Sequence, residues 1–175
     1  SSGSSAEPKG ILNAHRAVAI QLWRWRRLYD NLEDDVRCWP ANGFFWSGVF
    51  SMAIGLTFSY GGALVLQPTF EAAEALELLQ AERVNLPLCW PHQWSRLSEA
   101  SNWAEVDLSS LRYVDFRSPL GQHPTVRTQW REPRGYGVTE TFTISAAHLA
   151  SSPPEKVGES YGEILPGNTL KIVDP

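Results

Sequence analysis

The sequence predicts an α/β domain with a mainly parallel sheet and helices on both faces, and three observations support this fold class. Helical and strand-like segments alternate along the chain at the spacing of βαβ units. Residues 38–70 contain no acidic or basic side chain, as expected for elements buried in a parallel sheet that is covered on both faces. The 175 residues are 43% hydrophobic and 19% charged, which fits one globular domain and excludes intrinsic disorder.

The first predicted helix covers residues 14–29. Its apolar residues Val18, Leu22, Trp25 and Tyr29 recur every three or four positions, so they share one face of the helix. The arginines of this segment are more simply explained as a solvated helix face than as a polyanion site. The net charge of −4 also argues against a nucleic-acid partner.

Glycine, proline and changes of hydrophobic period divide the rest of the chain into shorter elements. We expect helices over residues 47–60, 70–83 and 91–97, with Thr69 as the N-cap of the second. We expect strands over residues 36–39, 63–67, 84–89, 111–116 and 169–174. Residues 118–135 are rich in glycine, proline and arginine, residues 150–161 are polar, and both stretches are predicted to be irregular.

An apolar run over residues 43–60 approaches the length of a membrane-spanning helix. Hydroxyl-bearing side chains interrupt this run and Gly61-Gly62 ends it, so we favour a buried helix followed by a strand and expect no integral membrane span. The cysteines Cys38 and Cys89 form no CxxC motif. They suit reduced, buried thiols of a cytoplasmic protein rather than a disulfide or a zinc site.

Two segments carry residues suited to nucleotide chemistry. The opening run SSGSSAEPKG, residues 1–10, combines hydroxyls, glycines and Lys9, which suit a polyphosphate, although a flexible serine-rich tail explains it equally well. In the run GYGVTET, residues 135–141, glycines on either side of Tyr136 allow a flat ligand to approach its ring. Thr139 adds a hydroxyl, and Glu140 adds a hard carboxylate suited to Mg²⁺. Taken alone, a tight turn at the start of a helix explains this second run better.

Together and in this order, the two segments resemble motifs of the adenylate-forming enzymes. The first is similar to the phosphate loop [ST]SG[ST][ST]GxPKG of that family, with Ala6 in place of a glycine, and residues 136–140 are similar to its YGxTE motif. The run KIVDP at residues 171–175 resembles a third motif. Because the resemblance covers the whole chain, residues 1–175 are identified as an incomplete part of the large AMP-binding domain.

The resemblance implies a role for each matching residue. The phosphates of ATP would be bound by Ser2, Gly3, Ser4, Ser5, Lys9 and Thr139. Gly135 and Gly137 would line an adenine slot in which Tyr136 stacks on the base. Glu140 would hold Mg²⁺, and Thr139, Glu140 and Lys9 would form the catalytic set.

The run NGFFWSG, residues 42–48, is similar to the FFW variant of some fatty-acyl synthetases. The resemblance implies that Phe45, Trp46 and Thr141 line the pocket for the acid, with Trp46 as its gate. An ordinary core position is the alternative interpretation of Trp46.

The function implied by the resemblance is that of an AMP-forming acyl-CoA synthetase, whose substrates are a small-molecule carboxylic acid, ATP and CoA. Two alternatives stay open: an acyl-AMP ligase that loads a carrier protein, and a non-catalytic nucleotide-binding module. In the family, a ribose-binding aspartate and a small C-terminal domain with a catalytic lysine follow the KIVDP run. Neither lies within these 175 residues, so we expect a fragment that shows no ATP–pyrophosphate exchange by itself.

Overall fold

The structure is a computed structural model that describes residues 7–174. Its helices are α1 His15–Leu28, α2 Ser47–Ser59, α3 Ala72–Ala81, α4 Pro91–Ser98 and α5 Pro154–Val157. Its strands are β1 Arg37–Pro40, β2 Ala63–Leu64, β3 Leu86–Leu88, β4 Gly135–Tyr136, β5 Ala146–Ala147 and β6 Glu163–Ile164. Two short 3-10 helices cover Leu120–Gln122 and Thr139–Thr141.

Strand β1 lies at the centre of a parallel sheet with the order β2-β1-β3, which confirms the predicted fold class. Neighbouring side chains of a strand point to opposite faces of the sheet. Accordingly, Cys38 packs in an apolar cluster with α1 and α2, whereas Trp39 packs in a second cluster with α3 and α4. Both side chains are completely buried. Helices therefore cover both faces of this sheet.

The long apolar run forms α2, a buried helix of 13 residues. Its side chains Val49, Ala53 and Leu56 belong to the same apolar cluster as Trp25 and Leu28 of α1. A helix without charged residues is expected where both the sheet and a second helix cover it. Within residues 7–174, no helix has the length and apolar character that crossing a membrane requires.

Residues 135–164 contain a second, antiparallel sheet with the order β4-β5-β6. Tyr136 pairs with Ala146, and Ala147 pairs with Glu163. The sequence analysis did not predict this sheet, because strands of two residues are too short to show a hydrophobic period.

The predicted strand over residues 111–116 is wrong, because the backbone groups of this segment do not bond in the alternating pattern of a strand ladder. The N–H groups of Arg112 and Tyr113 both donate to the single carbonyl of Asn85, at 3.1 and 2.9 Å. The Thr128 hydroxyl donates to the Arg112 carbonyl at 2.7 Å. The segment therefore runs beside the parallel sheet without joining it as a strand.

Two further local predictions also differ from the structure. Residues 169–174 are exposed and pair with no strand of the described chain, so the predicted last strand is absent. Helix α3 is capped by Glu71 rather than by Thr69, since the Glu71 carboxylate accepts a hydrogen bond from the Ala73 N–H at 3.0 Å.

Both cysteines are free thiols, with Cys38 buried and Cys89 partly buried. Burial raises the pKa of the Cys38 thiol to about 12 and raises the pKa of the Cys89 thiol well above its ordinary value. Both thiols are therefore protonated at neutral pH and poorly nucleophilic.

Candidate functional site

Two adjoining cavities provide the candidate site. The tryptophan cavity, of about 600 Å³, lies beyond the carboxyl ends of β1 and β3, the edge at which α/β sheets bind ligands. Three indole rings line it, those of Trp46, Trp90 and Trp94. The tyrosine cavity, of about 400 Å³, is lined by residues 135–139, so the YGVT part of the motif lies in its wall.

The two cavities share a wall made by Trp46, Met52, Trp90 and Glu132. The rings of Trp46 and Trp90 lie 4.9 Å apart between centroids. Trp46 is 41% exposed, which argues against the alternative that it is a core residue. A Cβ added at Gly48 would lie 2.6 Å from the Trp46 ring, so the absence of a side chain at Gly48 allows this ring position.

The resemblance implied that Phe45 lines the acid pocket together with Trp46, but the structure places Phe45 outside both cavity walls. Its side chain is 93% exposed and contributes to neither cavity wall. The Phe45 ring folds back over Gly43, within 2.8 Å of the position that a Cβ would occupy there. The turn before α2 therefore directs Trp46 into the site and Phe45 away from it, and the geometry gives no support to Phe45 as a pocket residue.

Thr141 also lines neither cavity. Its hydroxyl donates to the Val138 carbonyl at 3.0 Å and thereby closes the 3-10 helix. Lys9 lies at the surface outside both cavity walls. The expected phosphate-binding residues 2–5 lie outside the residues that the structure describes.

The glycines of the motif are required by backbone packing. A Cβ at Gly137 would lie 1.5 Å from the carbonyl oxygen of Thr143, and a Cβ at Gly135 would also meet a neighbouring side chain, at 2.5 Å. The sequence analysis had explained these glycines differently, by the access that they give a flat ligand to the ring of Tyr136. Tyr136 itself is half-exposed in the cavity wall, with its ring centroid 6.2 Å from that of Tyr161.

Thr139 lines the tyrosine cavity, and Glu140 follows it as an exposed carboxylate. The 3-10 helix over Thr139–Thr141 agrees with the turn that the sequence analysis kept as an alternative. Across residues 7–174, no group of three or more histidine, cysteine or acidic side chains converges on a metal position. A single carboxylate suits Mg²⁺ where phosphate oxygens and water supply the remaining ligands, and the exposed Glu140 fits that arrangement.

A buried side chain of helix α1 forms hydrogen bonds to the loop over residues 141–144, which follows the motif. Phe142 and Thr143 have φ angles of 48° and 87°, a left-handed conformation that costs on the order of 1–3 kcal/mol at a non-glycine residue. Gln21 is 1% exposed, and its Nε2 donates to the carbonyls of Phe142 and Ile144, each at 2.7 Å. It also lies 3.3 Å from the Thr141 carbonyl. One buried amide thus holds the strained loop.

Arg24 extends this network and is 4% exposed, so the expected solvated arginine face is wrong at this position. Its Nη1 donates to Gln21 Oε1 at 3.2 Å, and its Nη2 donates to Asn168 Oδ1 at 2.9 Å. Sequence analysis did not identify Gln21 or Arg24 as functional. The available signal was their helical spacing from Trp25 and Leu28, which places two polar residues in the buried stripe of α1.

Two carboxyl groups line the tryptophan cavity, those of Asp115 and Glu132, and Glu132 also lines the tyrosine cavity. Burial acts to raise the pKa of Asp115, but the hydrogen bonds from Arg117, at 2.7 and 2.8 Å, outweigh it, so the pKa lies below its ordinary value. Burial, and then the charge of Asp115, raise the pKa of Glu132 to about 7. Sequence analysis gave Glu132 no role, and the structure leaves this residue exposed where it lines the two cavities.

Comparisons with known proteins agree with the motifs. The family model described as AMP-binding enzyme matches residues 1–175. An indoleacetate–CoA ligase of Aromatoleum aromaticum is 29% identical over 178 residues, covering 98% of this chain and 34% of that protein. A 4-coumarate–CoA ligase 1 of Arabidopsis thaliana is 29% identical over 189 residues, covering 100% of this chain and 33% of that protein. The chain thus spans about a third of the length of these relatives.

Among solved structures, the inhibitor-bound N-terminal domain of FACL13 from Mycobacterium tuberculosis superposes with a TM-score of 0.71 at 21% identity. The likeness covers 93% of this chain and 41% of that one. It confirms the fold, a partial large domain with a parallel sheet and helices.

Proposed function

This chain belongs to the AMP-binding enzyme family, and we propose that the protein containing it is an AMP-forming acid–thiol ligase. In the first step, a carboxylate oxygen of the acid attacks the α-phosphorus of ATP, and the bond to pyrophosphate breaks. In the second step, the thiol of CoA attacks the acyl carbonyl, and AMP leaves. The observation that carries this proposal is the position of the YGVT segment in the wall of a cavity that adjoins a larger apolar cavity.

The tyrosine cavity is proposed to bind the nucleotide. Tyr136 offers a half-exposed ring to the base, and Thr139 offers a hydroxyl that can donate to a phosphate oxygen. Bound Mg²⁺ would offset the negative charge that develops on the phosphates. Glu140 would hold the Mg²⁺ with its exposed carboxylate. The positive charge of Lys9 would also offset the negative charge of the phosphates.

The tryptophan cavity is proposed to bind the acid, and its lining favours an aromatic one. Indole rings of Trp46, Trp90 and Trp94 offer faces and edges on which another ring can pack. Two relatives are named for aromatic acids, indoleacetate and 4-coumarate, which supports the same substrate class.

The test uses the full-length protein with ATP, Mg²⁺ and a panel of aromatic and fatty acids, with and without CoA. Mass spectrometry of the products should detect acyl-AMP without CoA and the acyl-CoA thioester with CoA. Acyl-AMP without thioester would favour loading of a carrier protein, and nucleotide binding without either product would contradict the proposal.

A matched pair of variants links the activity to the motif. Thr139→Val removes the hydroxyl in the cavity wall, and we expect it to slow adenylate formation by a factor of about ten to a hundred. Thr69→Val makes the same change at an exposed position outside both cavities and should leave the rate unchanged. Equal rates in the two variants would contradict the role of Thr139.

A further inference from the structure

Trp46 and Trp90 lie on two segments that leave the parallel sheet side by side, since β1 and β3 are neighbours and end at paired residues. Just after these strands, the Ala41 N–H still donates to the Leu88 carbonyl at 2.9 Å. Between that bond and the two tryptophans, no further backbone hydrogen bond of the described chain joins the segments. The sheet alone therefore does not fix how the two tryptophans lie relative to each other.

The side chain of Gln93, in the first turn of α4, joins the two segments instead, and it is 4% exposed. Its Oε1 accepts a hydrogen bond from the Trp90 N–H at 2.9 Å, and its Nε2 donates to the Ala41 carbonyl at 3.2 Å. It also pairs with the amide of Asn42, whose Nδ2 donates to Oε1 at 3.2 Å and whose Oδ1 accepts from Nε2 at 3.1 Å. One buried amide thus uses both its donors and both its acceptor sites to bond the segment of Trp46 to the segment of Trp90.

The relative position of the two indole rings depends on this bridge. Trp46 and Trp90 are 41% and 43% exposed, so the surrounding side chains leave them room to move. Their rings are nevertheless in contact and inclined by 47° to each other. Trp46 immediately precedes α2, and Trp90 immediately precedes α4. A shift of either segment would therefore move an indole in the wall that the two cavities share.

We infer that Gln93 is a positioning residue: its amide holds the indoles of Trp46 and Trp90 in contact and thereby determines which acids fit the tryptophan cavity. The part that concerns acids rests on the proposed function, because that proposal assigns the cavity to the acid. Gln93 lines neither cavity, so it acts through the two indoles rather than by touching a ligand. A buried network in which every polar group is bonded specifies one arrangement of the segments that it joins.

Two substitutions separate this role from helix capping, which the bond to the Trp90 N–H also provides. Gln93→Glu keeps an oxygen that accepts from Trp90, but its second oxygen has no proton to donate to the oxygens of Ala41 and Asn42. Gln93→Met is similar in size and forms none of these bonds. Capping alone predicts an effect of Gln93→Met only, whereas positioning predicts an effect of both. Gln129→Met, at an exposed position outside both cavities, is the control.

The first measurement is circular dichroism of the full-length protein at pH 8, which needs no substrate. Two indoles in contact couple their electronic transitions and give two far-ultraviolet bands of opposite sign. The difference between the spectra with and without Trp90→Phe, taken in each background, isolates this pair signal. We expect Gln93→Met and Gln93→Glu to lose most of the signal and Gln129→Met to keep it.

The second measurement compares kcat/KM for adenylation of benzoate, cinnamate and decanoate. The ratios among these acids should shift by about tenfold in both Gln93 variants and stay unchanged in Gln129→Met. Melting temperatures check that each variant folds. Asn42→Ala, which removes the partner amide and leaves the cap, replaces Gln93→Met if the latter does not fold.

A wild type without a pair signal, or an unchanged signal in Gln93→Glu, would overturn the inference and leave Gln93 as a helix cap. Loss of the signal with unchanged ratios among the acids would overturn the part that concerns acid choice. Loss of the signal in a protein that forms no acyl-AMP from any acid would support the positioning of the rings and refute the proposed function.

Discussion

The parallel-sheet region, residues 37–98, and the motif region, residues 115–168, are held together by different forces. In the first region, apolar side chains from three helices and three strands fill two clusters, to one of which α1 also contributes, and α2 carries no charge at all. In the second region, the strands are two residues long and loops dominate. Buried polar side chains such as Gln21 and Arg24 reach it from α1 and bond to its backbone carbonyls. The difference suggests that apolar packing determines the stability of this fold, whereas a few buried hydrogen bonds determine the shape of its site.

The largest expected effect is on stability and lies in the parallel-sheet region. Leu79 is completely buried, and Leu79→Ala should lower the free energy of unfolding by about 2–5 kcal/mol. Leu170 is half-exposed and offers a matched control, because Leu170→Ala should change the free energy of unfolding by no more than about 0.5 kcal/mol. Chemical denaturation of the full-length protein measures both. Similar losses at the two positions would contradict the assignment of the core.

In the motif region, Gln21→Glu should impair the site more than it impairs the fold. The substitution replaces the amide Nε2 by a carboxylate oxygen, which cannot donate to the carbonyls of Phe142 and Ile144. The strained loop should therefore shift, at a cost of about 1–3 kcal/mol in stability. We expect KM for ATP to rise as well, because this loop adjoins Thr139. Gln129→Glu, at an exposed position, is the control. A loss of stability with an unchanged KM for ATP would limit Gln21 to a structural role.

Trp46→Ala should have a small effect on stability and a clear effect on substrate choice. Because its ring is 41% exposed in the shared cavity wall, its loss removes little core packing. The ranking of kcat/KM among acids of different bulk should shift by about tenfold. Trp23→Ala, which removes a similarly exposed indole outside both cavities, should leave the ranking unchanged. A large drop in melting temperature with an unaltered ranking would restore the core interpretation of Trp46.

The smallest expected effect is a change in the pH dependence of stability. Burial and the charge of Asp115 raise the pKa of Glu132 from 4.5 to about 7, so the folded protein binds this proton more tightly than the unfolded chain does. The resulting stabilisation is complete below pH 4.5 and is lost as the pH rises through 7. Besides Asp115 with its partner Arg117, the ionisable groups of Tyr29 and Cys89 interact with Glu132, and both have raised pKa values.

Glu132→Gln carries no titrating group at this position. The variant should therefore lack the decline in melting temperature between pH 4.5 and 7 that is due to Glu132. The same pH series on Glu105→Gln, an exposed glutamate, provides the control. Parallel curves for the wild type and Glu132→Gln would contradict the raised pKa.

The parts of the molecule that follow local rules were predictable from the sequence. Helix α3 and the alternating strands of the parallel sheet follow from helix-forming residues, apolar runs and glycine breaks. The NGFFWSG run drew attention to Trp46, which lines the tryptophan cavity. Gln21 and Arg24 were not identified, because their roles depend on contacts between residues more than a hundred positions apart. Such contacts leave no period or spacing in the sequence.

Acid-dependent ATP–pyrophosphate exchange by the full-length protein tests the central claim, that the YGVTE segment is the adenylating site, most directly. Glu140→Gln keeps the shape of the side chain and removes its charge, and it should slow exchange by about a hundredfold at limiting Mg²⁺. Glu77→Gln, at an exposed position on α3, should exchange at the wild-type rate. Equal exchange rates in the wild type and Glu140→Gln would contradict the claim, as would a wild-type protein without acid-dependent exchange.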